Sequence, residues 1–458
     1  MTPIMKTTYG SVQGSVEHGL AVFRGIPYAA SLDGPRRFQA PAPPESWDGV
    51  RDATRYSAAV PQPSRFPDLP SLWNPGDSTE SLTVNVWTPD PGASLPVMVW
   101  LYGGAFLIGA ASQPQYDGAN LARAGVVLVT LNYRVGFEGF GWLPDAPNNR
   151  ALLDQVAALR WVQDNIAGFG GNPDNVTVFG ESAGATAVAA LTAAEAGRGL
   201  FRRAIGQSIA DGFLPEENAR RSSEQIATAL GSDLSVEAFA RITPEAIHGV
   251  QAAPGKITPY GPVIDGEVVR GRAWHGLRGE VDLIAGFNRD EYRLFTRIMG
   301  AAPGKPEALG LPPSALTGYR GAYPELAEDQ LAELILSDRI FRMPSLWCAQ
   351  NHPGRSYLYE LTWPSPVLGA CHALDIPLIF GNLDDPFAVM LFGGAAPAEA
   401  ELLGKELRKA WTSFATTGDP GWPEYRDGEA LTRIWDVPVS VASDPEAASR
   451  RVWASFAG

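Results

Sequence analysis

VTVFG at 176–180, followed without a break by ESAGATAVAALTAAEAG at 181–197, is the stretch on which the fold turns. The first part is short, apolar and β-branched, the signature of a buried strand. The second is alanine-rich and helix-prone. Between them Gly180-Glu181-Ser182-Ala183-Gly184 fits G-x-S-x-G, the sharp strand-to-helix turn that lifts a serine hydroxyl off the carboxyl end of a strand. Glycines permit that turn, and the helix starting there aims its first N–H groups at negative charge forming beside the serine. A serine that only caps the helix is the alternative that the pentapeptide alone leaves open.

Working outward, LPVMVWLY (95–102) and GVVLVTLNY (125–133) read as buried strands, and QYDGANLARAG (115–125) between them has the length of a short crossover helix. An amphipathic helix is predicted from Asn149 to Ala167, with Leu152, Val156, Leu159, Val162 and Ile166 on one face. Strands are predicted again at 202–209, 281–287 and 355–363. A final helix is predicted at 399–417, with Leu402, Leu403, Leu407, Ala410, Trp411 and Phe414 on its apolar side. Residues 9–28 read as an early hairpin and 30–80 as surface loop. The fold class is α/β, with a mostly parallel central sheet and helices on both faces. The stretches 215–260 and 305–345 read as helical insertions in one domain spanning 1–458.

The chain has 458 residues, a net charge of −14 and 45% hydrophobic residues, so a basic nucleic-acid footprint is disfavoured, no nucleic-acid partner is expected, and a large core is within reach. No run of 18 apolar residues occurs, and the start has no signal-like apolar segment, so neither membrane spanning nor secretion is expected. Two cysteines, Cys348 and Cys371, are too few for a disulfide scaffold, and a cytoplasmic location is expected. HExxH and closely spaced histidine pairs are absent, and GFGGNP (168–173) is not a dinucleotide fingerprint, so no metal and no cofactor is expected.

A serine hydroxyl needs a general base. Of the five histidines, His18, His248, His275 and His352 fall in loop-like or variable stretches. His372 in GACHALDIPLIFGN lies far downstream of Ser182, as this hydrolase chain order requires. Among the carboxylates between them are Asp211, Asp265 and Asp282, while Asp290 and Glu291 directly follow the strand 281–287; the residues alone do not say which of that adjacent pair turns inward. An oxyanion also needs donors. Tyr102-Gly103-Gly104-Ala105-Phe106 closes the strand 95–102, and the N–H groups of Gly104, Ala105 and Ala183 make a three-donor set.

Taken together, VFRGIPYA (22–29), RRF (36–38), STESLTVNVWTP (78–89), VWLYGGAF (99–106), LVTLNYRVGFEGF (128–140), residues 152–185 and CHALDIPLIFG (371–381) resemble the type-B carboxylesterase family, α/β-hydrolases that include bacterial p-nitrobenzyl esterases and the cholinesterases. The resemblance implies the α/β-hydrolase fold and a serine carboxylesterase with Ser182 as nucleophile, Glu291 as acid and His372 as base. It assigns Gly104, Ala105 and Ala183 to the oxyanion hole, and Glu181 and Ser208 to support of the histidine. It implies Phe106, Leu107, Trp73, Ile209, Phe295, Phe341, Met343 and Trp363 as pocket liners.

The expected substrate is a small-molecule carboxylic ester with an aryl or short-to-medium acyl group. Amidase, thioesterase, carbamate hydrolase or transacylase activity on the same triad is the alternative, and a noncatalytic binding member of the fold a more distant one. Monomer and homodimer are both open. The chain departs from the family at Val60 and Ser81, which stand where a cysteine bridge is common, and at Ala105, Ile209 and Tyr292, which stand where glycine is frequent.

Overall fold

The computed structural model describes residues 2–64, 71–251, 260–454 and 456. Among them, eleven strands build the central sheet. In chain order they are β1 (Ser15–Glu17), β2 (Leu20–Pro27), β3 (Thr83–Thr88), β4 (Leu95–Leu101), β5 (Val127–Leu131), β6 (Gly171–Glu181), β7 (Arg203–Gln207), β8 (Asp282–Asn288), β9 (Ser356–Leu361), β10 (Leu431–Trp435) and β11 (Ser440–Ser443). Across the sheet they run β11-β10-β9-β8-β7-β6-β4-β5-β3-β2-β1. Neighbours from β5 through β4 and β6 to β10 are parallel, while β1, β2, β3 and β11 pair antiparallel at the margins.

The central strands are apolar along their length because both faces are covered. Every residue of β3, β5, β7 and β9 is buried. The helices Arg150–Asn165, Ala183–Ala193 and Ala398–Thr417 pack against β6, with the last two also against β4. In the last helix Leu403, Leu407, Trp411 and Phe414 turn inward as the periodicity predicts; Leu402 does not, and is exposed at one edge of the apolar face. The insertion at 215–260 contains the helices Glu216–Leu230, Val236–Ala240 and Pro244–Gln251, with 252–259 outside the described residues. The insertion at 305–345 contains Pro313–Ala322 and Glu328–Ser337 and runs into Met343–Gln350. The predicted loop 30–80 is mostly irregular but not superficial: Phe38, Val60, Gln62 and Trp73 are buried, and 65–70 lie outside the described residues.

Register brings the chemistry together. Leu101 pairs with Gly180, and Gln207 pairs with both Glu181 and Gly286, so the carboxyl ends of β4, β6, β7 and β8 finish close to level. The segments that follow them start with Tyr102, Ser182, Ser208 and Arg289, and therefore share one rim of the sheet, where ligand sites of α/β sheets form.

Candidate active site

The serine sits on the predicted turn. Ser182 has φ 56° and ψ −121°, a conformation a non-glycine residue adopts only when its surroundings enforce it. The enforcement is visible: Ser182 N–H donates to Gln207 O at 2.9 Å, and its carbonyl accepts from Thr186 N–H at 2.9 Å, starting the helix. A Cβ at Gly184 would fall 2.0 Å from Leu101 O, and one at Gly180 would lie 2.7 Å from Leu101 O. Both glycines of the pentapeptide are thus needed for helix and strand to close up beneath the serine.

Beside it, the loop after β4 holds three consecutive residues at positive φ: Gly104 at 115°, Ala105 at 55° and Phe106 at 56°. At Gly104 a side chain is excluded twice over, because a Cβ would also lie 2.1 Å from Ile108 O. Among the described residues, the N–H groups of Gly104, Ala105 and Ala183 donate to no acceptor. Three unpaired donors around one serine form a preorganised anion site.

The adjacent carboxylates divide their work. Glu291 Oε2 lies 2.6 Å from His372 Nδ1, while Oε1 accepts from Ser208 Oγ at 2.6 Å and from Asn288 N–H at 2.8 Å. Glu291 is wholly buried and its position is fixed by these three contacts. Asp290 instead accepts from Ala370 N–H at 2.9 Å and pairs with Arg293 at 3.0 Å, fastening the loop that carries His372. The other histidines are elsewhere: His18 and His275 are exposed, His352 accepts from Gly354 N–H in its turn, and His248 packs edge-on against Trp73.

The other edge of the imidazole faces Glu181, the residue that the resemblance assigns to support of the histidine. His372 Nε2 lies 3.0 Å from Glu181 Oε1, out of line for a hydrogen bond, and no hydrogen bond joins Ser182 Oγ to His372 among the described residues. A carboxylate fits here because position 103 is glycine; a Cβ there would sit 2.7 Å from Glu181 Oε2. Burial on its own would push His372 toward the neutral form, but Glu181 and Glu291 outweigh it and hold the pKa up at about 9. Burial raises Glu181 to about 8, against the attraction of His372. Groups this close titrate as a unit, and the direction common to both is retention of a proton.

A pH dependence follows. His372 accepts a proton only when neutral, so a pKa raised to about 9 carries the acid limb of kcat/KM up to that region. Glu181→Gln removes one flanking charge; the midpoint of the limb is expected to fall by about one pH unit. A kcat/KM profile of both proteins measures it, and an unchanged or raised midpoint contradicts the assignment.

Of the pocket candidates, Phe341 and Phe295 cover His372, with ring centroids 4.4 and 5.2 Å from the imidazole. Tyr292 stacks on Phe295 at 5.3 Å and extends that aromatic run. Phe106 packs on Phe140 at 4.8 Å, and half-buried Leu107 lies near Gly136. Ile209 is fully buried against Gly206, with its N–H donating to Ser345 Oγ at 3.0 Å. Trp73 belongs to a small cluster with Ala59 and Ala110; Met343 is fully buried in its helix; Trp363 has Phe392 as its ring partner.

The sequence reading also passes over Asp375, three residues after His372. Its Oδ2 accepts from Gln207 Nε2 at 2.9 Å and Tyr359 OH at 3.0 Å, and burial, then Glu291, raises its pKa to about 6. The available signal was an acidic residue at the head of the apolar run IPLIF.

Comparison with known proteins gives the family. The profile of the Carboxylesterase family matches residues 1–309. The para-nitrobenzyl esterase of Bacillus subtilis is 37% identical over 98% of this chain and 98% of its own length. The phenmedipham hydrolase of Pseudarthrobacter oxydans is 33% identical over 96% and 97%. Among solved structures, a carboxylesterase of Geobacillus stearothermophilus superposes with a TM-score of 0.87 at 35% identity, covering 98% of this chain and 99% of that one. The chain belongs to the carboxylesterase family and is a serine carboxylesterase working through a Ser-Glu-His triad.

Proposed function

We propose that Ser182, His372 and Glu291 are that triad and that the substrates are uncharged small-molecule esters with aryl or short-to-medium acyl groups. The observation that carries this is the meeting, on one rim, of a strained Ser182, three unpaired N–H groups and an imidazole held at Nδ1 by Glu291 at 2.6 Å. In the cycle, His372 Nε2 leaves its contact with Glu181 for the Ser182 hydroxyl and takes its proton as Oγ attacks the ester carbonyl. The N–H groups of Gly104, Ala105 and Ala183 hold the oxyanion. The imidazolium then protonates the leaving alcohol, and water repeats the sequence on the acyl-enzyme to release the acid and free Ser182. The aromatic cover of His372 and the surplus of buried carboxylates favour apolar, uncharged acyl groups over anionic ones. We also place the protein in a reducing compartment, on account of its two buried, unpaired cysteines.

Matched p-nitrophenyl ester, thioester and anilide substrates test the reading. The ester is expected to exceed the anilide in kcat/KM by at least about a hundredfold, roughly 2.7 kcal/mol of transition-state stabilisation. An anilide turned over as fast as the ester would make the protein an amidase in practice.

A further inference from the structure

The cycle above leaves unused a buried charged cluster directly behind the aromatic cover of His372. Between the helices Glu328–Ser337 and Met343–Gln350 the chain makes a single π turn, Asp338–Arg342. Its origin is local. Pro344 has no N–H, so the carbonyl of Ile340 loses its helical donor and accepts instead from Asp211 N–H at 3.0 Å, in the loop after β7. One wide turn of this kind re-aims the side chains it carries, and such turns recur at functional positions. Here it delivers Phe341 onto the imidazole at 4.4 Å.

The turn is locked from beneath. Arg342, 1% exposed, donates to Asp338 and, at 2.8 Å, to the carbonyl of Arg289, two residues before Glu291. Its guanidinium lies over Phe287 at 5.3 Å and 3.6 Å from Glu446. Asp338 also accepts from Tyr319 OH at 2.5 Å, and Trp453 Nε1 donates to that hydroxyl at 2.5 Å. An ion pair so enclosed contributes little net stability compared with apolar packing, and positional specificity is the attested reason to keep one. The lock therefore joins the C-terminal helix Ala447–Trp453 to the loop of the triad acid and to the ring on the triad base.

We propose that this π turn, held by Arg342, Asp338 and Tyr319, is a specificity-determining element that fixes Phe341 against His372 and so limits the size of the acyl group the site accepts. The proposal rests on the triad assignment above. Tyr319, Asp338 and Arg342 are positioning residues acting through Phe341.

The test compares kcat/KM for p-nitrophenyl hexanoate and acetate in the wild type, Tyr319→Phe, Phe341→Ala and the double variant. Phe341→Ala is expected to raise the hexanoate-to-acetate ratio on the order of tenfold. Tyr319→Phe, which removes only the hydroxyl, is expected to raise it about threefold, and the double variant should not exceed Phe341→Ala, because both changes act through one ring. An unchanged ratio in Tyr319→Phe, or effects that multiply in the double variant, overturns the proposal. A lowered melting temperature with an unchanged ratio does so as well, since that is what a purely structural role produces. Should Tyr319→Phe not fold, Trp453→Phe, which removes the donor to the Tyr319 hydroxyl, replaces it in the same comparison. Labelling each protein with a p-nitrophenyl phosphonate separates the two levels: wild type that is not labelled at Ser182 fails the triad assignment, whereas labelled variants with unaltered ratios fail only the π-turn proposal.

Discussion

Glu291→Gln is expected to lower kcat for p-nitrophenyl acetate by about ten-thousandfold while leaving the protein folded. The reasoning is in the three contacts of the carboxylate. Oε1 accepts from Ser208 Oγ and Asn288 N–H, two donors that an amide oxygen can satisfy equally well. The amide NH2 must then face His372 Nδ1, where the carboxylate Oε2 sits now at 2.6 Å. A donor at that edge forces Nδ1 to accept, which places the ring proton on Nε2, the nitrogen that has to take the serine proton. The substitution is nearly isosteric in a fully buried site, so packing changes little. Activity measured alongside thermal unfolding decides the point. Loss of less than about tenfold in kcat would mean that Glu291 does not set the tautomer.

Ser182→Ala is expected to be at least as severe, removing about a millionfold of kcat, because no other nucleophile adjoins the three unpaired N–H groups. The variant should fold at least as well as the wild type. Ser182 contributes no side-chain hydrogen bond among the described residues, and the backbone contacts to Gln207 O and Thr186 N–H survive the change. Alanine must still adopt φ 56°, as serine does. Residual turnover above the solution rate would come from the oxyanion donors alone, which in a serine hydrolase amounts to about a thousandfold over water. The two variants differ in a useful way: Glu291→Gln keeps the nucleophile and retains slow reaction with a phosphonate, whereas Ser182→Ala loses it.

Much of this site is legible in the sequence because it depends on local rules. The turn around Ser182 follows from two glycines between a β-branched strand and an alanine-rich helix, and the structure shows the close approach to Leu101 that demands them. The order of strand and helix predicts the parallel sheet, and the pairing register of its strands brings their carboxyl ends to one rim. What is not legible depends on how distant segments meet. Asp290 and Glu291 are chemically alike as neighbours; they separate only because Asp290 bridges to Cys371 and the next residue is then turned toward the ring. The resemblance gives Glu181 a place beside the histidine, but not the edge it faces: its contact with His372 Nε2 depends on Gly103, which leaves room for the carboxylate. Ala105 and Phe106 carry no mark of the positive φ that the oxyanion loop imposes on them. Gln207, Asp375 and Trp411 form a buried chain across three elements, which no one-dimensional pattern reports.

The central claim is that Ser182 forms the covalent acyl-enzyme. Stoichiometric reaction of the wild type with a p-nitrophenyl phosphonate, followed by peptide mass mapping, tests it most directly. One phosphonyl group per chain on the peptide containing Gly180-Glu181-Ser182-Ala183-Gly184, with turnover lost in step and no adduct on Ser182→Ala, is the predicted result. An adduct on another residue, or loss of turnover without any adduct at Ser182, would contradict it.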